Sequence, residues 1–394
     1  MASLRQEPAG PAEQPQRERS PRRSLLPSWT NLGIIVLAIL ITVLGWVEIA
    51  QPLGIRVSDL TAGIVTMDTL VRIGILTIVV VGLNLLMGYA GQASLGQAAF
   101  YAMGAYASAI LTVKAKTLGL PQELAGTWWW PWLVIVGSML FVGGLTHLIG
   151  KPILRLRGHY LAMGTLGLGI MVFIILRENF GIATSTVNIT GGFDGIPDVG
   201  RLSIGSFTLW PIERYYFFVW AAALLVIILS LNIVNSRVGR ALRSIHGGEV
   251  AANTTGVDTD KCKLQVLVLS AMYASLAGSL YAHFQAAVSP GPFGFVGSLE
   301  LVVMSVVGGI ASIWGAPFGV AVVLILKELI RTRMHNVLRG AGGEHEVIAF
   351  GILIVIIMIF MPQGLTAGTV SAIKRFRQRA ARRHEPQTSD DVAS

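Results

Sequence analysis

The chain contains little charge and almost no cysteine. Only 13% of its 394 residues are charged, and Cys262 is the single cysteine. One cysteine cannot form an intramolecular disulfide or a metal site made of cysteines alone. Soluble domains carry roughly 25% charged residues, so the low charge indicates that most of the chain lies in a membrane.

Motifs for nucleotide hydrolysis and for common enzyme chemistry are also lacking. The sequence has no GxxxxGK[ST] phosphate loop, no HExxH motif, no paired cysteine and histidine cluster and no GxSxG motif. We therefore predict that the chain is not an enzyme and holds no cofactor or metal. An ATP-driven function would need a partner ATPase, which would use the ATP and Mg.

Hydrophobic residues and glycine are abundant instead. The chain is 53% hydrophobic with 45 glycines, and its mean hydropathy is +0.66. This composition predicts an all-α fold, a polytopic transmembrane helical bundle of about ten hydrophobic segments with Gly-rich broken or re-entrant helices. The predicted segments are residues 32–47, 70–88, 94–113, 129–149, 159–176, 215–234, 264–286, 299–312, 315–330 and 347–361.

Polar stretches divide the chain. Residues 1–31 are predicted to form a disordered cytoplasmic tail. Residues 367–394 are predicted to form a second disordered cytoplasmic tail, which is basic. A transmembrane domain, 32–366, lies between them and contains the polar cytoplasmic loop 235–263. The net charge of +9 sits in the tails and short loops, which is the positive-inside pattern and not a nucleic-acid-binding patch. Both termini are therefore predicted to be cytoplasmic.

The last segments fit this topology least well. Arg331, Arg333 and Arg339 fall on the outer side, against the positive-inside pattern. A short re-entrant pair from 299 to 330 is the alternative to two full spans there. Glycines at 308, 309 and 315 interrupt this region, and both broken helices and tight helix packing fit such clusters.

A second glycine cluster lies within residues 84–97, the region that we predict to be the translocation pathway. Uncharged hydroxyl and amide side chains lie in or beside it and could pass a zwitterion by hydrogen bonding without trapping it. The alternative is that these side chains tie helices together. The predicted pathway residues are Asn84, Tyr89, Gln92, Ser94 and Gln97.

The loop 177–214 is the largest polar element on the predicted outer side. Its glycines and proline predict a tightly turned lid or docking surface for something that arrives from outside. The predicted docking residues are Thr190, Gly191, Gly192 and Asp194.

The loop 235–263 is a long polar and basic interruption of a chain that is otherwise mostly apolar. A helical wheel places Val238, Leu242 and Ile245 on one face and arginines on the other. Gly247 and Gly248 follow. We predict a short amphipathic helix, Val238 to His246, whose apolar ridge docks on a soluble partner, with Glu249 outside it. A merely solvated loop is the alternative.

Ionisable residues within the predicted spans are few. Most lie near segment ends, where an interfacial position explains them. An ion-coupled secondary transporter or channel usually needs carboxylates or histidines deep within spans, so this alternative is less favoured. The residues concerned are Arg72, His147, His283, Glu300, Lys327 and Glu328.

Several ordered motifs resemble one known family. They are GLNLLMGYAGQASLGQAAFYAMGAYASA at 82–109, LRLRGHYLAMGTLGLG at 154–169, TGGFDGI at 190–196, GRALRSIHGGEVAANTTGVDTDKCKLQVLVLSAMYASLAGSLYA at 239–282 and MPQGL at 361–365. The chain resembles the LivM-type membrane permeases of ABC importers for branched-chain and other hydrophobic amino acids. The substrate stays open, since relatives carry other amino acids, amides or urea.

The resemblance implies partners and a location. It implies a second homologous permease, two cytoplasmic ATPases and a periplasmic or extracellular substrate-binding protein, with membrane lipid around a multi-pass protein of the bacterial plasma (inner) membrane. It makes the loop matching 239–256 the element gripped by the ATPase. With Val238 from the helical wheel, the predicted coupling residues are Val238, Arg240, Leu242, Arg243, Ile245, Glu249, Ala252 and Gly256.

Overall fold

A computed structural model describes residues 29–50, 63–113, 127–156, 158–179, 189–205, 207–337 and 351–352. Most of these residues are helical, which confirms the all-α prediction. The helices are α1 (Trp29–Ala50), α2 (Met67–Asn84), α3 (Gln97–Val113), α4 (Trp130–Ile153), α5 (His159–Arg177), α6 (Ile212–Asn235), α7 (Arg237–Gly247), α8 (Glu249–Thr254), α9 (Thr259–Gln285), α10 (Phe295–Gly308) and α11 (Gly315–Val337). A π-helical turn, Leu85–Tyr89, extends α2, and the strands β1 (Ser203–Ile204) and β2 (Phe207–Thr208) form a small hairpin.

Five of the described helices are long and apolar enough to cross a membrane. They are α2 with its π-helical turn, α4, α5, α6 and α9, and two shorter apolar helices occupy Gly33–Ile49 and α10. The count of ten segments and the cytoplasmic termini stay predictions, because the last segment, 347–361, and both predicted tails fall almost wholly outside the described residues. Helix α1 begins at Trp29, slightly before the predicted end of the first tail.

Helix α9 is the centre of the bundle and packs against α2, α3 and α4. Its closest approach is to α3, where Gly104 of α3 lies on the backbone of Ser275 and Gly278 of α9 lies on that of Tyr101. Glycines permit this spacing because a helix without side chains at the contact can approach a second backbone directly. Gly104 and Gly278 thus belong to the packing surface between α3 and α9.

Helices α10 and α11 form an antiparallel hairpin. Gly308 packs against Gly315 beside the turn, and further along the two arms Lys327 Nζ lies 2.7 Å from Glu300 Oε1. Helix α10 has 14 residues and is therefore about 21 Å long, shorter than the roughly 30 Å hydrocarbon core of a bilayer. This geometry favours the re-entrant alternative for α10 but not for its partner α11, whose 23 residues extend about 34 Å.

The predicted docking loop and the predicted coupling loop lie at opposite ends of the bundle. The β1–β2 hairpin precedes α6, and α7 follows it. Helix α6 has 24 residues, so about 36 Å separates its ends. Helix α9 runs back from α8, and just beyond its end Val288 pairs with Ile196 of the docking loop.

Candidate functional site

The coupling loop folds as the double glycine predicts. Helix α7 begins after Ser236, whose Oγ accepts a hydrogen bond from the Val238 amide at 3.1 Å, and it ends at Gly247. Gly248 has extended backbone, and α8 starts at Glu249. The predicted break, and the position of Glu249 outside the first helix, are therefore confirmed.

The apolar ridge of α7 faces the protein's own bundle. Leu242 is fully buried and Ile245 is 5% exposed, whereas Val238 is 41% exposed. The prediction that this ridge docks on a partner is therefore wrong for Leu242 and Ile245. The wheel identified a common face correctly, but α6, α9 and the π-helical turn cover that face.

The surface that α7 leaves open is the arginine face. We define the outer face as Arg237, Arg240 and Ser244, which are exposed and lie opposite the buried ridge, together with Val250 of α8. Val250 is 76% exposed. Of the remaining implied coupling residues, Ala252 is buried and Gly256 is exposed in the turn after α8. A partner would thus meet a basic surface with one apolar side chain.

Arg243 holds α7 to the bundle. Its Nη2 donates to the carbonyl oxygen of Val234 at 2.8 Å, near the end of α6. Its guanidinium carbon lies 6.0 Å from the centroid of the Tyr89 ring, in the π-helical turn. An arginine at a helix C-terminus satisfies a carbonyl that the helix itself leaves unpaired. Arg243 therefore connects α7 to α6 and to the extension of α2.

The α8 segment is fixed by an ion pair. Lys263 Nζ of α9 lies 2.6 Å from Glu249 Oε2, and both side chains are mostly buried. Asp258 caps α9 by accepting a hydrogen bond from the Lys261 amide at 3.1 Å. Bonds from the Lys261 side chain and amide lower the pKa of Asp258 below its ordinary value. Helix α8 is thus attached to the start of α9 by the Glu249–Lys263 ion pair.

Substitution of Leu242 by alanine is expected to loosen α7. Removing a buried leucine side chain costs about 2–5 kcal/mol, and here the loss acts on the contact between α7 and the bundle. Hydrogen exchange of the purified chain should show faster exchange of the α7 amides. Val238→Ala is the control on the same helix, because Val238 is exposed, and equal exchange in the two variants would contradict the assignment.

Two of the predicted pathway residues tie helices together. Asn84 Nδ2 donates to the carbonyl oxygen of Ser312 at 2.8 Å, and its Oδ1 accepts a hydrogen bond from Ser305 Oγ. Gln97 Nε2 donates to the carbonyl oxygen of Ser270 at 3.1 Å and contacts its Oγ at 3.0 Å. Asn84 thereby adds a second hydrogen bond to a carbonyl in the turn between α10 and α11, which also accepts one from the Gly315 amide. For these residues the helix-tying alternative is the better description.

Other pathway residues keep unused polar groups. Among the described residues, several buried side-chain atoms have no hydrogen-bond partner. They are Nε2 and Oε1 of Gln92, Oγ of Ser94 and Oε1 of Gln97. Buried polar groups normally have partners. Tyr89 is half-buried beside Arg243. A pathway role for Gln92, Ser94 and Tyr89 stays a prediction.

The docking loop is tightly turned, as predicted. Asn179 Oδ1 accepts hydrogen bonds from the amides of Ile189 and Thr190 at 2.8 and 2.9 Å. Gly191 and Gly195 have positive φ angles of 79°, which side chains adopt only with strain. A Cβ at Gly191 would also overlap the carbonyl of Gly195. The sequence at these positions is thus required by the turn.

Not every predicted docking residue is available to a partner. Thr190 is fully buried and serves the turn, so a direct docking contact by its side chain is excluded in this conformation. Gly191 and Gly192 are half-buried and Asp194 is exposed. Phe193, which the sequence reasoning missed, is 74% exposed and is the most prominent apolar side chain of the turn. Its position within the glycine-rich run from Gly191 to Gly195 was the available signal.

Comparisons with known proteins all identify membrane permeases of one kind. A family described as "Branched-chain amino acid transport system / permease component" matches residues 65–362. The high-affinity branched-chain amino acid transport system permease protein LivM of Escherichia coli (strain K12) is 31% identical over 335 residues, which cover 79% of this chain and 72% of the relative. The probable LivM permease of Methanocaldococcus jannaschii is 24% identical over 74% of this chain and 90% of its own length.

The chain is also similar to permeases that are named LivH. The LivH permease of Escherichia coli (strain K12) is 22% identical over 300 residues, covering 73% of this chain and 90% of the relative. No solved structure matches the chain. The similarity extends over almost the whole helical region described above.

Proposed function

The chain belongs to the branched-chain amino acid transport permease family, and from this membership we propose that it is the translocation subunit of an ATP-driven importer for branched-chain amino acids. It is a multi-pass membrane protein and not an enzyme. Similarity to both LivM and LivH permeases indicates a permease that works in a pair within a multi-subunit importer.

We propose the remaining partners on the same basis. Two cytoplasmic ATPases would use ATP and Mg, since the sequence has no phosphate loop of its own. A substrate-binding protein would dock at the opposite end, on the turn that carries Phe193 and Asp194. The membrane would be the bacterial plasma (inner) membrane. The two docking surfaces lie on opposite ends of α6, which suits an importer whose energy and substrate arrive from different sides.

The observation that carries this proposal is the attachment of α7. The helix is bonded to the end of α6 through Arg243, contacts the π-helical turn at Tyr89, and leads through α8 to α9. Its outer face is open. A movement imposed on that face would reach three helices of the bundle directly, which a solvated loop could not do. This attachment supports the proposal that coupling runs through 238–256.

Reversing charge on the outer face tests the coupling. Arg237→Glu with Arg240→Glu is expected to lower ATP-driven leucine uptake about tenfold or more, because a partner surface that fits two arginines would then face like charges. Uptake is measured in vesicles that contain all subunits, and retention of the ATPases on the detergent-purified complex is measured in parallel. The buried contacts of α7 are untouched by this change.

Arg201→Glu serves as the control, since Arg201 lies in the segment before β1, at the other end of α6. It should leave ATPase retention unchanged. Wild-type uptake and retention by the double variant would show that the outer face is not the coupling surface. Uptake driven by a proton or sodium gradient without ATP, by this chain alone, would instead establish the secondary transporter.

A further inference from the structure

A cavity of about 370 Å³ opens between the start of α2, the end of α9 and the α10–α11 hairpin. It lies at the end of the bundle opposite α7. Small organic ligands occupy cavities of roughly 300–1,000 Å³, so its size suits a ligand such as an amino acid. We call it the hairpin cavity; Arg72, Tyr101, Tyr281, Glu300, Met304 and Lys327 are among the residues that line it.

Two ion pairs border the hairpin cavity. Lys327 Nζ lies 2.7 Å from Glu300 Oε1, and Arg72 Nε lies 2.6 Å from Asp68 Oδ2. Arg72 uses only one of its five N–H groups in that pair, and the Glu300 carboxylate has a second oxygen. Both pairs therefore retain hydrogen-bonding capacity for a ligand.

The Glu300–Lys327 pair differs from simple interfacial residues, because its two side chains are only 19% and 36% exposed. Glu300 lies six residues into α10, and Lys327 lies about 15 Å from the end of α11. An interfacial lysine extends its ammonium group towards water, but Lys327 places it on Glu300 across the hairpin. Ionisable groups held within a bundle are costly and mark substrate pathways.

The opposite wall is aromatic and apolar. The ring centroids of Tyr101 and Tyr281 are 5.7 Å apart, and Phe293 supports both rings edge-on. Leu301 and Met304 line the same space. The cavity thus combines a charged side, lined by Arg72, Glu300 and Lys327, with an apolar side.

We propose that the hairpin cavity binds a zwitterionic α-amino acid with an aliphatic side chain. The substrate carboxylate would meet the guanidinium of Arg72, its ammonium group would meet Glu300, and its side chain would lie against Leu301 and Met304. Charged side chains of both signs beside an apolar wall suit a zwitterion with an aliphatic side chain. This proposal rests on the proposed transport function and assigns that function a substrate site.

The single native cysteine permits a direct test. With Cys262→Ser as background, Val296→Cys places a thiol at the cavity, and Phe295→Cys places one on the adjacent residue outside its lining. Val296 and Phe295 are both 51% exposed, so they are matched reporters. The complex of this chain, its companion permease and the ATPases is treated with a thiol reagent with and without L-leucine.

L-Leucine is expected to slow labelling at Val296→Cys and to leave Phe295→Cys unchanged. Adding Glu300→Gln should raise the leucine concentration for half-maximal protection about 10- to 100-fold, because hydrogen bonds to charged groups contribute about 1.5–3 kcal/mol. Glu328→Gln is the control on the neighbouring arm, since Glu328 pairs with Arg331. Leucinamide and 4-methylpentanoate, which each lack one charge, should protect more weakly than leucine.

Three results would overturn the proposal. These are no protection by leucine, equal protection at both cysteines, and protection that depends on added phosphatidylethanolamine and not on leucine, which would make the occupant a lipid headgroup. ATP-driven leucine uptake by the complex before mutation is measured alongside. Intact uptake without protection rejects the cavity alone, whereas absent uptake rejects the transport function.

Discussion

Replacing Gly104 with leucine is expected to prevent assembly of a folded permease. A Cβ at this position would overlap the carbonyl and Cα of Ser275, and both atoms belong to the α9 backbone. On the facing helix, a Cβ at Gly278 would overlap the carbonyl of Tyr101. Where neighbouring side chains can move aside, an added group in a packed core lowers stability by about 1–3 kcal/mol. Here the added group meets backbone atoms, which can move aside only if α3 separates from α9.

The measurement is the yield of monodisperse complex after membrane extraction, together with its thermal aggregation temperature. Gly144→Leu is the matched control, because Gly144 lies on α4 with no described atom within 4 Å of its Cβ position. The control should be obtained in wild-type yield. A stable, transport-competent Gly104→Leu complex would show that α3 and α9 do not pack as described.

The positions of the helices were the most predictable part of the fold. Apolar runs between polar stretches predicted α2 and α4 through α6 closely, because lipid requires apolar side chains and internally bonded backbone. The end of α7 was equally predictable, since Gly247 and Gly248 stop a helix by their own backbone properties. Apolar runs and helix ends are determined by neighbouring residues in the chain, so they can be predicted from the sequence directly.

The sequence did not predict which part of the structure packs against each helix face. The wheel grouped Leu242 with Ile245 but could not say whether a partner or the bundle covers them. Asn84 bonds to Ser312, which is 228 positions away, and Glu300 meets Lys327 across the hairpin. Arg72 joins the same cavity from α2. Single charges near segment ends are compatible with an interfacial position, so only the packing of distant helices identifies a shared site.

Residues 84–91 connect the two ends of the proposed mechanism. Tyr89 lies beside Arg243, and Gly91 lies against His246, so the segment touches α7. Asn84 holds the turn of the α10–α11 hairpin, whose arms carry Glu300 and Lys327. The π-helical turn within this segment is a departure from regular helix of the kind found at functional sites. A shift of α7 would therefore be passed to the hairpin cavity through one short stretch of chain.

Gly88→Ala is accordingly expected to uncouple ATP hydrolysis from transport. A Cβ at position 88 would overlap the carbonyl of Ile310 in the hairpin turn and would lie 3.0 Å from the Ala311 Cα. The added methyl group must push the turn away from the π-helical segment. Coupling free energies between sites are typically 1–3 kcal/mol, so leucine transported per ATP hydrolysed should fall about tenfold or more in vesicles containing all subunits.

The control distinguishes a broken connection from a weakened fold. Gly167→Ala adds the same methyl group on α5, where no described atom lies within 4 Å of it, and it should keep the wild-type ratio of transport to hydrolysis. Asn84→Leu should resemble Gly88→Ala, because it removes the side-chain hydrogen bonds that join position 84 to Ser312 in the same turn and to Ser305 of α10. If both variants lost hydrolysis and transport in equal proportion, the segment would support assembly only, and the path from α7 to the hairpin would have to run through α9 instead.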